Sequence, residues 1–288
     1  MVELYCSWCK GLPESKKALS IIKDSNEFSG IELSNTDNQI DKVLESGLKV
    51  SIHNPAREYK ISIESPNFIE IMSAHPEIIS TCKKTPLPFV SFHMGQSCFY
   101  YKPQSKEQLL SNIRKNLNYL NHSIDKRILL EEMSFYPSMI NPVKEQESKL
   151  YSTSIKLQKE VSQIANAGLL IDLSHTLISA RSRIMLNLYK GNKIDYFIDL
   201  LQNVGSNIFE LHLNSPLLVK NEGFVDKHFI INSAKKESKF VLDYAQEAIF
   251  SCPNLKIITL EMEPMLEPIQ HAKVLVKQAK LIRKKINL

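Results

Sequence analysis

Eight short apolar runs, separated mostly by segments long enough for a helix and two loops, constrain this chain more than any other feature. They are VELYC (2–6), GIELS (30–34), LKVSIH (48–53), LPFVSFH (87–93), RILLEE (127–132), GLLID (168–172), NIFELHL (207–213) and LKIITLE (255–261). Runs of this length bounded by polar segments read as strands buried on both faces. Crossover helices between such strands make the pairing parallel. Eight is the number at which a parallel sheet shuts, so the expectation is an α/β fold, a (β/α)8 TIM barrel forming one domain over 1–288. An open doubly wound sheet is the competitor. With eight glycines and neither a G-x-G-x-x-G nor a Walker-type loop, a glycine-rich phosphate cradle is poorly supported.

The intervening segments carry helical periodicity. DNQIDKVLESG (37–47) reads as a small helix ending at Gly47. Longer ones are expected over 106–124, 144–167, 194–204 and 235–250. The last, HAKVLVKQAKLIRKKINL (271–288), sets Val274, Val276, Ala279, Leu281, Ile282 and Ile286 against Lys273, Lys277, Lys280, Arg283, Lys284 and Lys285. A docked helix with a solvated basic face explains this; a nucleic-acid footprint is the sharper alternative. The net charge of +5 leans only lightly towards anionic partners. Five cysteines do not resemble a disulfide framework. Cys6 and Cys9 in CSWC lack the second C-x-x-C of a structural zinc site and read as two partly buried thiols, with Trp8 between them at the pocket wall. No signal-type leader or membrane-length apolar run is evident, so a cytoplasmic protein without a membrane partner is expected.

Function in such barrels gathers where strands end. Here those places hold His53, His93, Glu131, Asp172 with His175, then Glu210 and His212, and Glu261; VDKH in the loop after the seventh run adds Asp226 and His228. His75, His122 and His271 fall elsewhere. One histidine at a strand end is ordinarily a satisfied polar residue. Five imidazoles and at least four carboxylates on one rim repel or desolvate one another unless cations hold them. The N/O mixture without thiolate leaves Zn, Mn or Fe open and does not fit an all-oxygen Mg or Ca site. Glu210, two residues before His212, shares its face and is expected to orient a ligand imidazole by a hydrogen bond.

In this order, SIHNP, SFHMG, LLEE, IDLSH, ELHLN, VDKH and TLE resemble the endonuclease IV group (family 2) of apurinic/apyrimidinic (AP) endonucleases, within the xylose-isomerase-like TIM-barrel superfamily. The resemblance covers about 30–262. It implies three zinc ions: one on His53 and His93 with Glu131 bridging, a second completed by Asp172, His212 and Glu261, and a third on His175, Asp226 and His228. It also implies hydrolysis of DNA 5′ to abasic sites, with Glu131, Glu261, Asp226 and His228 at the reaction. Glu132, next to Glu131, is expected to point the other way. The chain departs from the family in a shorter region before His53 and in its loop HNPAREYKISIESPNF. Arg57, Tyr59 and Lys60 there, with Tyr100, Tyr101 and Lys102 in QSCFYYKP, form a basic–aromatic mixture suited to distorted or single-stranded DNA. It suits a phosphorylated small molecule equally. No obligate protein partner is evident.

Three rivals stand beside this reading. A sugar (phosphate) isomerase or epimerase on the same barrel needs one Mn-type ion on Glu131, Asp172, His212 and Glu261, with the two glutamates moving a proton alpha to a carbonyl. A multinuclear non-haem iron enzyme that oxidatively modifies peptides is the second, faintly suggested by EEMSFYP. A degenerate, non-enzymatic barrel is the third.

Overall fold

The structure is a computed structural model that describes residues 1–8, 15–34, 39–95, 104–136, 151–219, 223–263 and 267–288. Eight strands run parallel: β1 (Glu3–Trp8), β2 (Gly30–Leu33), β3 (Lys49–Ile52), β4 (Phe89–Met94), β5 (Arg127–Glu132), β6 (Ala167–Asp172), β7 (Ile208–Leu213) and β10 (Ile257–Leu260). Their order is β3-β2-β1-β10-β7-β6-β5-β4. The two end strands meet through a parallel bridge between His53 and Ser91, reinforced by the Asn54 amide donating to the Ser91 carbonyl at 2.8 Å. The result is a nearly closed TIM barrel, with this one thin seam.

Period-two alternation sorts every strand. Leu4, Cys6 and Trp8, Ile31 and Leu33, Val50 and Ile52, and Leu169 and Ile171 pack outward into the large helix-facing core. Tyr5, Phe89, Leu129, Leu170 and Ile257 form a separate apolar plug inside the barrel floor. One or two inward positions further along, the same faces carry polar groups, starting with Glu32, Ser51, Ser91, Glu210 and Thr259. All five are buried. The paired register His93–Glu131, Asp172–His212 and Thr259–His212 brings the upper tier level.

The helices are α1 (Lys16–Asp24), α2 (Ile40–Glu45), α3 (Phe68–Ala74), α4 (Pro76–Lys84), α5 (Lys106–Ile124), α6 (Ile155–Ser162), α7 (Leu173–Met185), α8 (Lys193–Val204), α9 (Lys236–Ser251) and α10 (Pro268–Ile286). Local chemistry sets their ends. Ser105 and Gln108 make a reciprocal capping box for α5, and Gly47 beyond α2 takes the left-handed conformation, φ +85°. The single helix expected over 144–167 is not seen in its described half. Ser154 accepts from the Leu157 amide and starts α6 afresh, which ends at Ser162. Residues 144–150 lie outside the described residues.

Helix α10 buries Ala272, Leu275, Ala279 and Ile282, and Arg283 donates to the Glu27 carbonyl at 3.0 and 2.7 Å. Its basic residues belong to a docked helix. Between β7 and α9, the stretch read as loop is an antiparallel hairpin, β8 (Ser215–Val219) and β9 (Gly223–Phe229). No helix among the described residues is long and apolar enough to cross a membrane.

Candidate metal centre

Asp172 shows how the strands become a site. It closes β6 and at once caps α7, its Oδ1 accepting the His175 amide at 2.9 Å. The strand-to-helix turn therefore sets Asp172 and His175 side by side. Asn214, just past β7, donates its Nδ2 to Asp172 Oδ2 at 2.6 Å, fixing the carboxylate from the other side.

The sequence-predicted ligands assemble into overlapping groups. His53, His93 and Glu131 form one, Glu131, Asp172, His212 and Glu261 a second, and Asp172, His175 and His228 a third. In the first, His53 Nε2 lies 2.8 Å from His93 Nε2, and Glu131 Oε2 lies 3.2 and 3.0 Å from those nitrogens. In the second, His212 Nδ1 is 2.9 Å from Glu261 Oε2 and 3.4 Å from Glu131 Oε1. Asp226, carried by the hairpin, joins the third: Oδ2 is 3.0 Å from His175 Nε2 and Oδ1 3.2 Å from His228 Nε2. Glu261 Oε1, 3.4 Å from His228 Nδ1, links the second group to the third.

Supporting contacts orient the rings. Ser91 donates its hydroxyl proton to the Ile52 carbonyl (3.3 Å), which leaves its lone pair to accept His53 Nδ1–H at 2.8 Å and keeps His53 Nε2 bare. His175 Nδ1–H donates to the Glu132 carbonyl at 2.8 Å, turning Nε2 towards Asp226. The Tyr136 hydroxyl accepts the Asp226 amide at 2.8 Å. His212 Nε2 lies 3.1 Å from Glu32 Oε2. Glu210, below His212 on the same face, accepts from Thr259 Oγ1 at 2.7 Å, so the imidazole's direct carboxylate partner is Glu32 and Glu210 stands one step further away.

Burial and mutual charge pull the titratable groups apart. Burial works against ionised Glu131, yet the His53 and His93 charges hold it well below the ordinary carboxylate range. Burial likewise opposes ionised Asp226 and Glu261, and their histidine neighbours overcome it, pushing both far down. His228 rises to about 10 because Glu261 and Asp226 outweigh its burial. His175 and His212 rise for the same reason, through Asp172 and Asp226 in one case and Glu32 and Glu261 in the other. His93 moves down, chiefly by burial, with the His53 and Arg57 charges adding to it. Asp172 moves up, by burial. Glu210 is pushed well up by burial and then by Glu32.

The donor set fits divalent transition ions. Glu131 Oε2, His212 Nδ1 and Asp226 Oδ1 are buried and close to opposite donors, yet none makes a well-aligned hydrogen bond. Metal bonds of ~2.0–2.1 Å in a tetrahedral shell separate ligand atoms by roughly 3.3 Å. The 2.8–3.2 Å edges of the His53–His93–Glu131 triangle are close to that.

The other predicted residues are dispersed. Arg57 is exposed on a 3-10 turn (Arg57–Tyr59) after His53, near enough for its charge to act on His93. The Tyr59 hydroxyl turns to His75 Nδ1 at 2.9 Å and Glu77 Oε1 at 3.4 Å, where α3 meets α4. Lys60 is exposed in the left-handed conformation. Trp8 packs with Leu4 and Cys6 in the helix-facing layer, on the opposite strand face from the barrel lining, so it does not wall the site. Cys9, Tyr100, Tyr101 and Lys102 lie outside the described residues. Sequence reasoning passed over Glu32, Ser91 and Asn214. Period two already placed Ser91 on the His93 face, and Asn214 stood in ELHLN; Glu32 gave only a carboxylate inside an apolar run.

No family model matches the chain, and no curated protein matches it in sequence. Among solved structures it is similar to a xylose isomerase domain-containing protein from Salmonella typhimurium LT2, at 11% identity over 98% of this chain and 97% of that one, TM-score 0.64. A xylose isomerase domain protein from Alicyclobacillus acidocaldarius matches at 13% identity over 100% of both chains, TM-score 0.62. A third is a xylose isomerase-like TIM-barrel protein from Mycobacterium smegmatis in complex with magnesium, at 8% identity over 99% and 97%, TM-score 0.54. These likenesses show the fold. It is a TIM barrel, similar in fold to these xylose isomerase-like proteins.

Proposed function

We propose that this chain is a metal-dependent phosphodiester hydrolase that cleaves DNA 5′ to abasic sites, with zinc at three positions. The observation that carries the reading is the sharing of carboxylates: Glu131 belongs to the first and second donor groups, and Asp172 to the second and third. Carboxylates shared in this way would hold cations close to one another, the arrangement that serves attack and departure at phosphorus. Manganese or iron satisfies the same donors.

When bound, such cations supply a water of lowered pKa and positive charge for the departing oxygen. The chain's own contribution is orientation and charge. Glu131 and Glu261 are both held ionised, each with one oxygen towards His212 and the other towards a neighbouring group. That ties the groups to a common geometry. Asp226 bridges His175 and His228 from the hairpin, closing the side opposite His53 and His93. Arg57, exposed and near enough for its charge to act on His93, would meet a phosphate oxygen before the ester reaches the buried donors.

The second group alone, Glu131, Asp172, His212 and Glu261, also satisfies a single ion, which supports a sugar isomerase or epimerase. Elemental analysis of protein purified without chelator separates the two. About three zinc per chain is expected for the hydrolase and one manganese for the isomerase. A duplex carrying a tetrahydrofuran abasic analogue is then cut by wild type, while Asp226→Ala/His228→Ala loses about one zinc and at least a hundredfold in rate. Metal-replete wild type that leaves the duplex intact overturns the DNA assignment, and full activity in the double variant overturns the third position.

A further inference from the structure

Glu32 is the one carboxylate on the His212 ring that no ligand assignment uses. It sits inside β2, 1% exposed, and His212 on β7 is fully buried. β2 and β7 are not neighbours; β1 and β10 stand between them. The contact, 3.1 Å between Glu32 Oε2 and His212 Nε2, therefore spans the barrel interior and joins residues 180 apart in sequence. The other Glu32 oxygen is buried, and the buried Glu210 carboxyl, pushed up partly by Glu32, is its side-chain neighbour. Among the described contacts no lysine or arginine reaches Glu32.

We propose that Glu32 is a positioning residue: by accepting the Nε2 proton of His212, it fixes the tautomer that presents a bare Nδ1 to the second donor group. The two ring nitrogens diverge, so the partner of one decides the role of the other. With the proton on Nε2, the Nδ1 lone pair faces Glu261 Oε2 at 2.9 Å and Glu131 Oε1 at 3.4 Å. With the proton on Nδ1, the second group loses its only nitrogen donor. A carboxylate behind a ligand imidazole also raises the basicity of the ligating nitrogen.

Glu32 is close enough to His53 and His212 to be read as a ligand itself. Ring geometry argues otherwise. His53 Nε2 already faces His93 Nε2 at 2.8 Å and Glu131 Oε2 at 3.2 Å, and its Nδ1 is held by Ser91. An ion between Glu32 and His212 Nε2 would draw both imidazoles away from Glu131. The inference rests on the metal-centre reading above and not on the substrate.

Two measurements test it, neither of them catalytic. Long-range proton–nitrogen correlation spectra of zinc-loaded, histidine-labelled protein report which nitrogen of each ring is metallated, with His212→Gln giving the assignment. The expected result is His212 ligated through Nδ1 and protonated at Nε2; ligation through Nε2 overturns the proposal. Cobalt titration followed by visible absorption compares wild type with Glu32→Leu and Glu32→Gln. Leucine is expected to weaken loading about 10–100-fold, whereas glutamine, whose amide oxygen still accepts the Nε2 proton, stays within a few-fold. Loading of Glu32→Leu that superposes on wild type, or equal damage from both variants, overturns the positioning role. Should Glu32→Leu fail to fold, the spectra of wild type decide alone. Wild type that takes up no cobalt overturns the centre itself and this role with it, whereas cobalt uptake without DNA cleavage touches only the proposed substrate.

Discussion

Ser91 carries no chemistry of its own, yet it decides what His53 can offer. Its hydroxyl sits between the Ile52 carbonyl and His53 Nδ1, buried, at 3.3 and 2.8 Å. Ser91→Ala removes the acceptor and frees the ring to place its proton on Nε2, where it would point at His93. The expected outcome is about tenfold weaker cobalt loading at the first group, with a stability loss of about 1 kcal/mol in thermal melts of the metal-free protein. Unchanged loading would mean that backbone packing alone aims the ring. Residues of this kind mark the limit of what the sequence makes legible. His53, His93, Glu131, Asp172 and His212 stand out because each ends an apolar run, and strand alternation then forces them to one side. Ser91 obeys the same alternation but is chemically quiet. Glu32 is different: its meaning comes from His212, 180 residues away across the barrel, and no local pattern carries that.

Strand β5 presents two glutamates to opposite environments, and the elements around it explain both fates. Glu131 faces the histidines inside the barrel and stays ionised. Glu132 faces the helix side, where burial pushes its carboxyl up to about 8 despite the Arg183 and His175 charges. A carboxyl raised in the folded state keeps its proton longer than in the unfolded chain. Its stabilising contribution is complete below the ordinary value of 4.5 and is lost as pH climbs towards 8. Glu132→Gln cannot undergo that loss. Its melting temperature should match wild type at the acid end of the window and exceed it by several degrees at the alkaline end, measured by calorimetry across the interval. A constant difference at all pH values would show that Glu132 is not titrating there. At this scale the eight barrel strands were legible because buried parallel strands are near-continuous apolar runs. The β8–β9 hairpin was not. Pro216 and the polar KNEG interrupt its pattern, and its placement follows from Asp226 and His228 meeting His175, a tertiary demand. The break before α6 was equally hidden, since Ser154 as a cap looks like any serine in a helical run.

Taken as a whole, the barrel is a continuous sheet except between β3 and β4, where the bridge at His53 and Ser91 and a few flanking bonds replace a full ladder. The first donor group lies across that seam, with His53 extending β3 and His93 near the end of β4. The remaining candidate donors come from β5, β6, β7, the hairpin and the end of β10. A cation held by His53 and His93 would join the two sheet edges that hydrogen bonds join least, and metal binding and barrel closure would then be one equilibrium. A ligand at about a thousand times its dissociation constant stabilises the native state by ~4 kcal/mol, and each kcal/mol moves the midpoint of a chain this large by roughly 2–4 °C. Chelation is thus expected to lower the melting temperature by about 10 °C. Hydrogen exchange localises the effect. The amides of Asn54 and Ile63, which donate to the Ser91 and His93 carbonyls, should lose protection on chelation well before the amides of β5 and β6, whose ladder is complete through Ile128–Glu131. Uniform loss across all strands would mean that the ions stabilise the barrel globally and the seam is no weaker than the rest. An unchanged melting temperature would mean that the donors converge without needing a cation, and that β3 and β4 are held by their helices instead.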